Sequence, residues 1–223
     1  MDTALLLYRN AMIEVKRRFY AIDRVLGAKK PRTLNLEFDN EFMWLQLRKI
    51  VELVTFGGVM ADEARYAALQ ELLKHQDYKR DSKVNKMLPK LAEITPHYLP
   101  TPIGDPTTSA DGATHFQKGA AEQTLQRLLD IFNAAGLYLH VPNPLAFETL
   151  AGFQQTLDIS RERICVELDY LKAILWQHAK IGLAFDSAVD SPTQVGNPDY
   201  AWLLDFGKPE VDNIQMLLAS GKD

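Results

Sequence analysis

The longest stretch in which apolar residues recur at helical spacing runs over residues 36–60, LEFDNEFMWLQLRKIVELVTFGGVM. Its apolar positions follow at steps of three and four residues and include Met43, Leu47, Ile50 and Val54. A stripe of this width is typical of a helix that is buried on most of its circumference. Asp39 or Asn40 is expected to cap the first turn by accepting hydrogen bonds from its exposed N–H groups. The pattern therefore predicts a long central helix in a bundle.

Small residues cluster near the end of this predicted helix, at Gly57, Gly58 and Ala61. They either allow another helix to approach closely or mark a bend before Asp62 caps a further helix. The sequence leaves both alternatives open.

Amphipathic patterns predict several more helices. Their ranges are 3–26, 63–75, 120–139, 145–157 and 160–182, and another helix is expected to begin at a Ser82 cap. Prolines exclude a helix between residues 95 and 114. This excursion is expected to form either an extended clasp over the bundle with a mobile tip or a lid over a site.

The period of the apolar residues changes near the C-terminal end. Residues 183–189 and 200–206 are predicted to form two short strands joined by a polar turn, and the pattern of residues 211–218 favours a last helix. The predicted fold is mainly α. A helical bundle with its excursion at 95–114 occupies residues 1–182, and a small C-terminal β-hairpin with a short terminal element occupies residues 183–223.

Composition and cysteine usage indicate a cytoplasmic globular domain. The 223 residues are 47% hydrophobic and 24% charged, which is ordinary for such a domain. A single cysteine, Cys165, excludes an internal disulfide and fits a reducing compartment. The apolar patch at the N-terminus is too short for a signal peptide, and no run reaches the roughly 20 apolar residues of a membrane span. No membrane partner is expected.

Charge is distributed unevenly along the chain. Residues 1–32 hold eight Lys or Arg against three Asp or Glu, a net charge of +5, and residues 145–223 hold six against twelve, a net charge of −6. The opposite charges of these two segments indicate either electrostatic complementarity within or between chains, or one basic face on an acidic body.

Four lysines form a candidate nucleic-acid-binding surface. They lie at steps of four, three and four residues on the outer face of the helix expected after Ser82: Lys79, Lys83, Lys86 and Lys90. Such a row is either an ordinary solvated face or a contact for a phosphate backbone. No aromatic residue interleaves the lysines, which argues against the stacking of single-stranded bases.

Arg48 and Glu52 are four residues apart on the central helix, and their neighbours are apolar. They are expected to pair, either as a helix-surface ion pair contributing a few tenths of a kcal/mol or as a buried polar pair set into the bundle.

The common catalytic and cofactor motifs are absent from the sequence, including glycine-rich phosphate loops, nucleophile elbows, HExxH and paired CxxC. His97 and His115 have no carboxylate or thiol at metal-ligand spacing, so neither a metal site nor a cofactor is expected. His178 continues the apolar rhythm of the last long helix. That position favours a core or interface histidine over a catalytic one.

The first helix together with the long helix carrying EFMWLQLRKIVELVTFG resembles the helical HEPN-type domains of bacterial toxin, abortive-infection and antiphage systems. This resemblance implies a helical fold and a dimer. Members of that family that cleave RNA carry an Arg, four to six residues and then a His. No Arg of this chain has a His at that spacing, and the nearest arrangement is Lys172 with His178. Lysine lacks the planar bidentate hold on phosphate that arginine gives.

Two hypotheses follow from these patterns. The first is a non-catalytic binding or regulatory protein that acts as a homodimer, with a possible protein partner and an accessory role in a bacterial defence or toxin–antitoxin system. The second is a metal-independent ribonuclease acting on RNA, in which His178 transfers protons and Lys172 holds phosphate. The two hypotheses differ in whether His178 is buried or accessible.

Overall fold

Most of the residues that the structure describes are helical, and some of the remaining residues form a small antiparallel sheet. The computed structural model describes residues 3–61, 84–95, 97–112, 114–140, 149–181 and 200–220. Within these ranges the helices are α1 (Thr3–Leu26), α2 (Leu36–Ala61), α3 (Val84–Ile94), α4 (Leu125–Tyr138) and α5 (Leu150–Leu175). The strands are β1 (Thr101–Pro102), β2 (Thr107–Thr108), β3 (Thr114–His115), β4 (Gln177–Ile181), β5 (Tyr200–Asp205) and β6 (Gln215–Ser220). The predicted mainly α class is confirmed.

Helix α2 packs against four other helices, α1, α3, α4 and α5. Its apolar stripe supplies fully buried side chains such as Leu47 and Ile50. Trp44 is also fully buried; its Nε1 donates to Ser160 Oγ of α5 at 2.8 Å, and its ring stacks on Tyr138 of α4 with centroids 4.7 Å apart. A single buried indole therefore fixes α2, α4 and α5 relative to one another.

The first turn of α2 is capped by Asn35, so the prediction of Asp39 or Asn40 as the cap is wrong. The Asn35 side chain accepts a hydrogen bond from the backbone N–H of Phe38 at 2.9 Å. Asp39 lies one turn inside the helix and accepts hydrogen bonds from the loop that precedes it. Cap preference alone does not discriminate among closely spaced Asn and Asp residues, because all of them are good N-caps.

The two glycines of α2 lie where other parts of the chain approach closely, and the helix continues through both to Ala61. A Cβ atom on Gly57 would lie 2.8 Å from the Tyr8 ring, and one on Gly58 would lie 2.8 Å from the backbone oxygen of Tyr98. Of the two alternatives left open by the sequence, close approach is the one that the structure has.

The larger sheet has the strand order β1-β4-β5-β6, and all its neighbours are antiparallel. His178 pairs with Pro102 on one side and with Leu204 on the other. The expected helix over residues 160–182 is therefore wrong beyond Leu175. The apolar rhythm at His178 is compatible with a helix or with a strand. Backbone hydrogen bonds to the two neighbouring strands decide in favour of the strand.

The C-terminal strands also differ from the prediction. Strand β5 occupies the expected position, but its partners are β4 and β6, so the predicted hairpin between residues 183–189 and 200–206 is wrong. Residues 183–189 lie outside the described residues. The last helix expected over residues 211–218 is wrong too, because Gln215–Ser220 forms β6. The short run MLLA fits either period, and pairing with β5 decides it.

The excursion contributes an edge strand to the sheet and a small hairpin beside it. Thr101 pairs with Ala179, and β2 pairs with β3. Its beginning is tied to the sheet by Lys180, a fully buried residue whose ammonium donates to the carbonyl oxygen of His97 at 2.7 Å. The sheet thus combines strands from both sides of residue 182, where the predicted helical bundle ends and the C-terminal elements expected to pack on the same domain begin.

The uneven charge of the chain is partly neutralised within the fold. Arg17 on α1 pairs with Asp212, with 2.6 Å between Nε and Oδ1, and Arg9 donates to Asn213. Lys16, which is 3% exposed, donates to the carbonyl oxygens of Phe206 and Asn213. The basic face of α1 therefore holds the segment between β5 and β6, which is the intramolecular form of the predicted complementarity.

Candidate functional site

The face of the sheet directed away from the helices carries a candidate binding site with mainly apolar walls. His178 and Leu204 are fully buried, and the next residue along each strand belongs to the opposite face. A groove of about 410 Å³ lies on that face, between the excursion and β6. Its lining includes Ile103, Pro106, Phe116, Leu203, Asp205 and Leu217. We call it the sheet groove.

A polar row closes one end of the sheet groove. The strand register places Gln177, Asp205 and Gln215 side by side. Gln177 Nε2 donates to Asp205 Oδ2 at 3.1 Å, and the backbone N–H of Gly207 donates to Asp205 Oδ1 at 2.7 Å. The carboxylate is thereby oriented, with further acceptor capacity on each oxygen. The groove therefore offers apolar walls with one acceptor at its end.

Strand β6 borders the sheet groove and forms the edge of the sheet among the described residues. Its sequence, QMLLAS, contains neither a charged residue nor a proline. Edge strands usually carry such residues because they prevent unwanted pairing with another chain. Leu217, at the middle of the edge, is 58% exposed. The edge therefore has the features of a surface that accepts another strand.

His178 lies in the core, on the opposite face of the sheet. Its side chain is fully buried; Nδ1 is 2.7 Å from the carbonyl oxygen of Leu175, and Nε2 is 2.9 Å from the Tyr8 hydroxyl. Because Nδ1 faces a carbonyl, it carries the proton, and Nε2 accepts from Tyr8. The pKa of His178 is lowered to about 4, mainly by burial. The hydrogen bond to the Leu175 carbonyl opposes this shift, and the charge of Lys180 adds to it. His178 is thus a neutral, satisfied core residue.

Lys172 lies on α5, whereas the described part of the predicted lysine row lies on α3. Lys172 forms an ion pair with Asp23 of α1 at 2.6 Å. Of the predicted lysine row, Lys86 and Lys90 lie on α3, and Lys86 is exposed. Lys79 and Lys83 lie outside the described residues.

Arg48 and Glu52 pair as predicted, with 3.3 Å between Arg48 Nε and Glu52 Oε1. Their side chains are 32% and 29% exposed, so the pair is half-buried at the helix surface. The Arg48 guanidinium also lies over the Phe132 ring of α4, 4.0 Å from its centroid. The pair therefore supports the packing of α2 against α4 and leaves no buried charge unmatched.

The part of the chain that the structure describes supports neither a metal site nor a membrane-spanning helix. No group of three or more His, Cys, Asp or Glu side chains is arranged to hold a metal ion. No described helix has the length and apolar character needed to cross a membrane.

Comparison of the chain with protein-family models, with curated proteins and with solved structures found no match in any of the three. Function is therefore inferred from the geometry of this chain.

Sequence reasoning missed the sheet groove, although one signal for it was present. The alternation over residues 200–206 places Leu204 and Phe206 on one face of the strand, which leaves Leu203 and Asp205 for the other. The walls supplied by residues 103–116 are not readable from the sequence, because they depend on how the excursion packs against the sheet.

Proposed function

We propose that this chain is a non-catalytic binding protein whose sheet groove and β6 edge receive an extended peptide segment of a partner protein. The observation that carries this proposal is the juxtaposition of an uncharged edge strand with a groove of about 410 Å³ directly beside it. Strand addition supplies affinity through main-chain hydrogen bonds, and pockets for alternate side chains supply specificity.

The groove favours a particular peptide chemistry. A strand added to β6 directs every second side chain to the face that carries Leu217, where an apolar side chain contacts the walls of the sheet groove. Asp205 accepts hydrogen bonds at the end of the groove, which favours a lysine, an arginine or a free amine there. The proposed partner segment is therefore extended, apolar at alternate positions and basic at one end.

A selection of displayed random peptides on the immobilised protein tests this proposal. We expect the selected peptides to alternate apolar and polar residues. We also expect Leu217→Asp to weaken their binding at least ~10-fold, because it places a charge on the apolar contact surface. The matched control is Leu137→Asp, since Leu137 is 74% exposed at the end of α4 and lies away from the groove.

Hydrogen exchange identifies the mode of binding. If a selected peptide adds as a strand, amides of β6 become more protected when it binds. Equal binding by both Asp variants, or protection confined to the helices, would contradict the proposal.

We further propose that the protein is a homodimer and that the outer face of α2 forms its seam. Phe38 and Leu45 lie seven residues apart on α2 and are 43% and 37% exposed, so they offer two apolar contacts on one helix face to a second copy of the chain. In sedimentation at about 10 µM, a concentration that a stable interface survives, we expect a dimer that Leu45→Asp converts to a monomer. Val166→Asp tests α5 as the alternative seam, because Val166 is 57% exposed there. A monomeric wild-type protein would remove the dimer proposal.

The geometry favours binding over the ribonuclease alternative. An acid–base histidine must reach its substrate, whereas His178 is fully buried with both ring nitrogens in hydrogen bonds. Lys172 is likewise engaged by Asp23. The proposal includes a role as an accessory component of a bacterial defence or toxin–antitoxin system, which is supported by the resemblance of α1 and α2 to HEPN-type domains. It also includes a cytoplasmic location, which is supported by the single cysteine.

A further inference from the structure

The loop between α1 and α2 carries three cations that the fold leaves uncompensated. Lys29, Lys30 and Arg32 are exposed, and none of them has an ion-pair partner among the described residues. Cations on α1 differ from them, since Arg17 pairs with Asp212 and Arg18 pairs with Glu14. Arg24, near the end of α1, is also exposed and contacts only Tyr20 among the described residues, so the positive charge that remains available in this part of the chain lies mainly in residues 24–32.

Asp39 holds the second half of this loop through Arg32 and Thr33. Its carboxylate is 1% exposed and accepts hydrogen bonds from the backbone N–H groups of Arg32 at 3.0 Å and Thr33 at 2.8 Å, and from the Thr33 hydroxyl at 2.8 Å. Burial alone would raise the pKa of Asp39, but these bonds and nearby Arg161 outweigh it and lower the pKa. We call residues 28–35 the anchored loop.

Anchoring changes what the cations are able to bind. A mobile basic segment loses conformational entropy when a ligand orders it, whereas a loop already held in place loses much less. Residues 27–32 curve around an open hollow of about 520 Å³, with the cationic residues on its rim. The loop is thus a preorganised, concave and positively charged surface.

We infer that the anchored loop binds the phosphate backbone of a single nucleic-acid strand. Phosphate is the anion that clustered lysine and arginine side chains recognise without a defined sequence. A narrow strand contacts the loop alone, whereas a flat anionic membrane would also meet the carboxylates of Glu37 and Glu41 in the first turns of α2. This site is separate from the sheet groove and independent of the function proposed for it.

Salt dependence of binding to a single-stranded RNA oligonucleotide tests the inference. Each phosphate contact contributes a slope of roughly −0.7 to a plot of log K against log salt concentration. The variant Lys29→Gln/Lys30→Gln/Arg32→Gln should therefore flatten the slope by about 2 and weaken binding at low salt at least ~10-fold. The matched control changes three lysines that lie outside both the anchored loop and the lysine row: Lys49→Gln, Lys118→Gln and Lys208→Gln. It removes the same charge, and it should change the slope by less than the contribution of one phosphate contact.

Asp39→Ala distinguishes a built site from general attraction. Removing a negative charge should tighten binding if net charge alone matters, whereas loss of the anchor should weaken it several-fold, which is roughly what ordering a short loop costs. Thr33→Ala removes one anchoring bond without changing charge, and it replaces Asp39→Ala if that variant does not fold. Tighter binding by the folded anchor variant would overturn the inference. It would also be overturned by equal effects of the two triple variants, by absence of RNA binding, or by binding only to anionic vesicles.

Discussion

Acidification from pH 7 to pH 4 is expected to destabilise the folded protein by roughly 3 kcal/mol through His178 alone. The buried imidazole has a pKa of about 4, whereas the unfolded chain returns it to the ordinary value of 6.5. Between these two values the unfolded state binds more protons than the folded state, so the free energy of unfolding falls as the pH falls. The contribution is fully present above the unfolded pKa and is lost progressively toward pH 4.

Urea unfolding at a series of pH values between 7 and 4 measures this effect. The pH dependence of the wild-type protein sums the contributions of many groups, so the informative comparison is with His178→Gln, which keeps a polar group and cannot be protonated. That variant should be less stable at pH 7, because the hydrogen bond from Tyr8 is disturbed. Its stability should nevertheless decline less steeply with acidification. Parallel pH profiles for the two proteins would show that His178 is not neutral and buried as described.

Substitution of Gly58 by alanine is expected to destabilise the protein by about 1–2 kcal/mol, although alanine is the better helix former. The added Cβ would lie 2.8 Å from the backbone oxygen of Tyr98, and a backbone atom in a packed site does not move away easily. Overpacking of this kind costs about 1–3 kcal/mol, which exceeds the gain of about 1 kcal/mol from replacing glycine in a helix.

Gly136 provides the matched control for this substitution. A Cβ there meets the end of the flexible Arg48 side chain at 3.4 Å, and that side chain is able to shift. Gly136→Ala should therefore be neutral or stabilise the protein by up to about 1 kcal/mol. Denaturation midpoints of the two variants check the opposite signs, and destabilisation by both would mean that space at Gly58 does not decide the outcome.

Elements dominated by one strong local signal were predictable from the sequence. The stripe of α2 and the pattern of α1 each repeat at helical spacing over more than twenty residues, and α1 ends at Leu26, the end of the predicted range. Strand β4 was not predictable, because its five residues continue the rhythm of the preceding helix and only the neighbouring strands β1 and β5 determine their conformation. Strand β6 is a similar case.

The candidate sites were less predictable than the helices. The sheet groove combines Phe116 with Leu217, which are about a hundred residues apart in the sequence. No local pattern reports such a pairing. The basic character of residues 29–32 was visible in the sequence, but the role of Asp39 as their anchor was not. An aspartate in the first turns of a helix is more often explained by the helix dipole.

The hold of α1 on the segment between β5 and β6 has a consequence for biosynthesis. Lys16 is synthesised about 190 residues before the carbonyl groups of Phe206 and Asn213 that receive its ammonium. A nascent chain that still lacks residues 206–213 therefore leaves one face of α1 unsatisfied. Completion of the core has to wait until that segment has been made, and a chain stalled before it would present the basic face to chaperones and proteases.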